Sequence, residues 1–276
     1  MTDPTCSEQS KAIAEPLAGT APTQARLLIV EQPGPWGAKA LQDSRLLPST
    51  RDSLVEFDAR PGHKVLLARR DAAPNLAQGR NVWFLERIGA AVISRHAVLP
   101  VAADPTLLDT DHAGAPDQDA TQVPFICTNS ARDKCCALLG RKTVANLPDA
   151  WQVSHVGGHR FAPTGLSFPS GIFAGRMPDP KDWSAADGPP LQHTRGRMGR
   201  EPWQQAAEIA VAELTGAPLS TFDSAGPASD VQVSGAGGMR WHVTVQETTL
   251  PPRQASCTKP AEEPKVWLAG QVHSGV

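Results

Sequence analysis

The 276 residues include no tyrosine, no excess of basic side chains and no apolar run that approaches a membrane span of roughly 20 residues. The missing tyrosine points to a compositional bias and identifies no function. Without a long apolar run, no membrane-spanning helix is expected. The formal net charge is −2, so no global basic field would draw the chain to nucleic acid or to an anionic membrane. Residues 1–23 lack both a basic segment and an apolar segment, so no secretory signal is expected there. A disordered tail over 1–23 and a cytoplasmic location are expected instead. No G-x-G-x-x-G and no G-x-x-x-x-G-K-[ST] string occurs, so neither nucleotide-binding signature is present.

What remains has the composition of an ordinary globular protein, 40% hydrophobic and 20% charged. A chain of this length can bury a core without disulfide staples. The 26 prolines imply long irregular connections. Short apolar runs at Arg26–Glu31, His63–Arg69, 81–86 and Ala91–Leu99 read as strands, with a helix expected over 38–47. These form a smaller N-terminal α/β unit, 24–104. Residues 101–122 read as an exposed acidic loop. A second unit, 120–217, runs strand (Val123–Cys127), polar loop, helix (135–147), strand (151–154), Gly-rich turn, hairpin (165–168 and 172–176 about Pro169-Ser170-Gly171) and amphipathic helix (203–214) ended by Gly216. Residues 178–198 read as loop. The second unit has the layout of a thioredoxin-like fold. Residues 218–276 read as a β-rich extension, and no internal repeat is visible.

There are five cysteines, Cys6, Cys127, Cys135, Cys136 and Cys257. An odd count in a reducing compartment argues against a disulfide framework. Cys6 and Cys257 are expected to be incidental or small buried apolar residues. Cys127 and Cys136 are separated by eight residues, and His155 and His159 by three, as His-Val-Gly-Gly-His. All four fall at or beyond strand ends, where open α/β sheets bind ligands. Thiolate and imidazole suit iron or zinc and exclude calcium or magnesium. Gly157 and Gly158 permit a tight turn between the histidines. Spacing alone leaves several uses open: an iron–sulfur cluster, a zinc ion, a thiol nucleophile, or ordinary loop residues. The long cysteine gap fits structural zinc poorly. Cys-x-x-Cys redox chemistry is missing its motif.

The strings CTNSARDKCCALLG (127–140) and WQVSHVGGHRFAPTGLSFPSGIFAGR (151–176), with EQPGPW at 31–36, resemble the sucrase/ferredoxin-like family, part of the thioredoxin-like [2Fe–2S] ferredoxins. The resemblance covers residue 24 to about 215. It implies a [2Fe–2S] cluster ligated by Cys127, Cys136, His155 and His159, with Cys135 as a spare thiol. It implies an electron-transfer or redox-sensing role with a separate reductase or acceptor protein as partner, rather than an enzyme with its own substrate. Bis-histidine ligation would raise the potential above the low-potential ferredoxin class and could couple it to protons. Arg132, Asp133, Lys134 and Arg160, beside the ligands, would support the cluster, as would Gly157 and Gly158; Asp133 could instead cap the following helix. Arg195 and Arg197 could face a partner. Two rivals remain, a structural Cys2His2 zinc protein and a sucrose-cleaving hydrolase, the latter needing a carboxylate pair that a sequence cannot reveal.

Overall fold

The computed structural model describes residues 3–70, 76–109, 122–185 and 188–275. Its main sheet has nine strands: β1 (Arg26–Glu31), β2 (His63–Arg69), β3 (Arg80–Ile88), β4 (Ala91–Leu99), β5 (Val123–Cys127), β6 (Trp151–Val153), β7 (Thr164–Phe168), β8 (Ile172–Gly175) and β9 (Thr194–Arg197). Their spatial order is β4-β3-β1-β2-β6-β5-β7-β8-β9. The helices are α1 (Cys6–Ala12), α2 (Pro48–Ala59), α3 (Arg141–Ala145) and α4 (Pro202–Thr215).

β1 and β2 are parallel and linked through α2; β3 and β4 follow antiparallel on the far side of β1. β5 and β6 are likewise parallel and linked through α3; β7 and β8 follow antiparallel on the far side of β5. The two halves thus share one strand–helix–strand–hairpin order. They meet where β2 pairs antiparallel with β6, Ala68 opposite Val153 and Arg69 opposite Gln152. The same strand position faces its counterpart, so the connectivity has an approximate twofold relation, like an isologous dimer contact. The expected α/β class, thioredoxin-like arrangement and β-rich extension all hold.

β1 is buried on both faces, which is why it reads as a continuous apolar run. Leu28 and Val30 pack under α2 with Leu54 and Phe57. Leu27 and Ile29 face the other way, into a core with Trp83, Phe125, Trp151 and Val153. Trp83 meets Phe125 and Trp151 edge-on, with ring centroids 5.0 and 4.7 Å apart. These aromatic contacts close the inner face of the curled sheet across both halves.

Several expectations are corrected. Residues 38–47 form turns, not a helix; the Asp43 carboxylate accepts the Lys39 N–H at 3.0 Å, a local bond that competes with helix formation. The helix starts later, with Pro48 at its first position, where a missing N–H costs nothing. The helix expected over 135–147 runs from 134 to 145 and is widened by a π-turn over Cys136–Gly140. The loop read over 178–198 contains β9, a polar strand that pairs with β8. The tail read over 1–23 carries α1, capped reciprocally by Thr5 and Glu8. Polar residues with distant partners, not apolar area, hold it; Glu15 is only 1% exposed. The acidic-loop reading over 101–122 falls mostly on 110–121, outside the described residues.

The extension is a four-stranded antiparallel sheet of β10 (Asp223–Ala225), β11 (Val231–Ser234), β12 (Arg240–Thr249) and β15 (Lys265–Ser274), with a small ladder of β13 (Arg253–Gln254) and β14 (Ala261–Glu262). Val231, Val233, Trp241 and Val243 pack against Ala207 and Val211 of α4. Among the described residues, no helix is long and apolar enough to cross a membrane.

Candidate metal centre

β5 ends on Cys127, whose register partner on parallel β6 is Val153, two residues before His155. Both donor pairs therefore lie beyond the C-terminal ends of two central neighbouring strands. The Thr128 N–H donates to the Val153 carbonyl at 3.2 Å, extending the pairing past the strand end. Cys127 and Cys136 are fully buried. Their sulfurs and a ring nitrogen of His155 lie within 4.8 Å of one another. His159 Nδ1 stands 3.9 Å from Cys136 Sγ. The two imidazoles stack, centroids 4.0 Å apart and planes 8° from parallel, and both are half-buried.

Local chain geometry explains the convergence. Asp133 accepts the Cys135 N–H at 2.7 Å, capping the turn that follows. The wider π-turn then rotates Cys136 inward; such turns recur at functional sites. It also brings Gly140 onto the end of β5: a β-carbon there would stand 2.0 Å from the Cys127 carbonyl oxygen. Gly140→Ala is accordingly expected to destabilise the protein by about 1–3 kcal/mol, read as a lower urea midpoint with unchanged slope. An unchanged midpoint would mean the turn can move off β5 without loss.

The histidine turn uses two left-handed residues, Gly157 at φ +75° and Gly158 at φ +68°. Only glycine adopts this pair cheaply, and it folds His155 and His159 into register. Arg195 lies behind the turn, 2% exposed. Its Nη1 donates to the Gly157 carbonyl at 3.1 Å and to Thr164 Oγ1 at 3.0 Å. Burial, then the charge of Arg160, holds its pKa down to about 9, while the neighbouring Cys136 and Cys127 sulfurs partly offset that. Arg195 is thus a buried cation set against the sulfurs. Arg197 is also buried, donating to the Phe222 carbonyl at 2.8 Å. Neither arginine faces a partner.

The two thiols share a proton unequally. A hydrogen bond from Cys136 pulls Cys127 well below the ordinary thiol value despite burial. Cys136, bonded to and buried beside that thiolate, is pushed well up. Burial, then the charge of His155, lowers His159 to about 3, so its imidazole is neutral and free to bind a metal. Among the described residues, His155 Nδ1 is buried with no hydrogen-bond partner. A soft donor pair, two stacked imidazoles and an unpartnered ring nitrogen together fit a thiophilic metal group.

The flanking residues divide. Arg132 is exposed and lines, with Asn129, Ser154 and His155, a cleft of about 210 Å³. Lys134 is exposed. Arg160 donates to Glu15 at 2.7 Å and covers the Phe161 ring at 4.3 Å, so it braces the turn from outside. Asp133 serves as the cap; its carboxylate also accepts the Cys257 N–H at 3.0 Å. Cys135 turns away from this pocket, toward Cys6 and Cys257. Sequence reasoning read Arg195 as a partner-facing residue, not as a brace, and dismissed Cys6 and Cys257.

A family model described as sucrase/ferredoxin-like matches residues 17–179, more than half of the chain. No curated protein and no solved structure matches it.

Proposed function

The chain belongs to the sucrase/ferredoxin-like family, and on that footing we propose that it holds a [2Fe–2S] cluster on Cys127, Cys136, His155 and His159 and carries single electrons between protein partners in the cytoplasm. One observation carries this reading: two buried thiols and two half-buried imidazoles converge beyond the ends of β5 and β6 in a member of this family. When bound, the cluster supplies reversible one-electron transfer.

The chain's own residues divide the remaining work. Cys127 and Cys136 provide anionic donors inside the protein. His155 and His159 provide neutral donors that reach the surface, leaving a short path for an electron to a docked partner. Arg195 sets a fixed positive charge behind the sulfurs and holds the histidine turn through the Gly157 carbonyl. The left-handed Gly157-Gly158 pair makes the tight turn that brings the two histidines together. No nucleic acid, membrane or second cofactor is invoked. The partner is a separate reductase or electron acceptor.

A single zinc ion on the same four side chains is the competing reading, because the three donors within 4.8 Å would also suit one ion. Protein purified without oxygen separates the two. The expected result is a red-brown protein with two irons and two labile sulfides on this site. A colourless protein that carries one zinc lost with His159→Ala would overturn the cluster.

A further inference from the structure

Cys135 meets the two cysteines farthest from it in sequence. Its Sγ lies 3.5 Å from Cys6 Sγ and 3.4 Å from Cys257 Sγ, and Cys257 Sγ lies 3.5 Å from Cys6 Sγ. The three sulfurs form a nearly equilateral triangle. An Asp133 carboxylate oxygen stands 3.9 Å from Cys6 Sγ, and all four residues offer a donor atom within 4.8 Å of the others. Cys6, Asp133 and Cys135 are buried and Cys257 is half-buried.

The edge length decides among uses. A disulfide needs two sulfurs about 2.05 Å apart and would leave the third thiol over. An iron–sulfur cluster spreads its thiolates over several irons and needs a wider ring. Thiolates on one tetrahedral ion, each about 2.3 Å from it, lie about 3.8 Å apart. The observed edges of 3.4 and 3.5 Å are within a few tenths of that value.

We propose that Cys6, Cys135 and Cys257, with Asp133 as the fourth donor, bind one structural zinc ion. The set is soft enough to reject calcium and magnesium, and the carboxylate favours zinc over copper(I). The donors are held as ligands usually are. Asp133 accepts the N–H groups of Cys135 at 2.7 Å and Cys257 at 3.0 Å and the Ser256 hydroxyl at 3.0 Å. It makes no ion pair among the described residues, so this buried, electron-rich set has no cation of its own. Binding would release the thiol protons. It would also tie α1 and the segment after β13 to the loop that carries Cys136. The proposal does not rest on the cluster reading, because no donor is shared.

The test uses the full chain, purified without oxygen or chelators, with zinc, iron and sulfide measured together. One zinc per chain is expected beside any iron. Cys6→Ala and Cys257→Ala should each weaken zinc binding at least tenfold in competition with a chromophoric chelator and lower the melting temperature. Iron content and visible colour should persist in both, and His159→Ala should keep this zinc. Should either variant fail to fold, cobalt(II) exchanged into the wild-type protein should give intense thiolate-to-cobalt absorption and tetrahedral bands. A wild-type protein that takes up neither zinc nor cobalt(II) under reducing conditions overturns the proposal. So does a disulfide among these three cysteines in the anaerobic protein, or zinc lost with His159→Ala but kept by both cysteine variants.

Discussion

Replacing His155 or His159 by cysteine is expected to leave an iron-loaded, coloured protein whose midpoint potential has dropped by on the order of 100 mV or more. The reason is charge. Each neutral imidazole exchanged for a thiolate adds a negative charge, and centres with two histidines lie at about −150 to +300 mV, against about −400 mV for all-cysteine plant-type clusters. The geometry favours retention, because both rings are half-buried on a turn of their own and His159 already faces Cys136 at 3.9 Å. The wild-type potential should also fall as pH rises, since a ligating imidazole keeps a second nitrogen that can lose its proton, more readily in the oxidised state. Each histidine-to-cysteine variant removes one such proton and should flatten the slope. Protein-film voltammetry from pH 6 to 10 reads both effects. If both variants matched the wild type in potential, neither histidine would be a ligand. A flat wild-type profile would remove the proton coupling alone.

The second large effect is on stability. Glu15 sits at the junction of four segments, 1% exposed. Its carboxylate accepts Arg253 at 2.8 and 2.9 Å, Arg160 at 2.7 Å and the Ser10 hydroxyl at 2.6 Å, and its carbonyl accepts Arg176 at 2.8 Å. Glu15→Gln would strip half-buried Arg160 of its ion-pair partner and leave buried Arg253 only the exposed Glu262 carboxylate at 3.5 Å. Breaking a buried pair from one side costs about 3–5 kcal/mol. The variant should therefore unfold at markedly lower denaturant, and the His159–Arg160 turn should loosen with it. The pH dependence carries a sign. Burial alone would raise the Glu15 pKa, but Arg253, Arg160 and Ser10 outweigh it and hold it below the ordinary 4.5. A carboxylate depressed in the folded state contributes fully above its unfolded value and loses that contribution as pH falls through the folded one. Wild-type stability should thus fall on acidification below about pH 4.5, and Glu15→Gln should lose less over the same range. Equal denaturation midpoints at pH 7 would show that the arginines find water or other acceptors.

The sheet was largely legible in the sequence because its central strands are covered on both faces. Arg26–Glu31, His63–Arg69 and Val123–Cys127 are apolar runs punctuated by proline and glycine, and burial on both faces requires that pattern. Gly216 marked the end of α4 through a left-handed cap that few other residues tolerate. The candidate donor set Cys127, Cys136, His155 and His159 came from the resemblance of the strings around it, since spacing alone left a cluster, a zinc ion, a thiol nucleophile and ordinary loop residues open. β9 was not legible, because Thr194–Arg197 is polar and becomes a strand only by pairing with β8. Nor was the shared connectivity of the two halves, since strand order and direction leave no mark on residue identity.

The termini divide most sharply. By itself the sequence determined the α/β class and the main strands, because local periodicity carries that information, and its family-like strings singled out four candidate donors. Only the tertiary structure decided what Cys6, Cys135 and Cys257 do. Cys6 and Cys257 are 251 residues apart, and each looks incidental in its own segment. The folded chain closes that separation to 3.5 Å, with Asp133 holding the loop between them. Such a meeting depends on where α1 and β13 dock, and docking is set by buried partners such as Glu15 and Arg253 whose pairing no local pattern encodes.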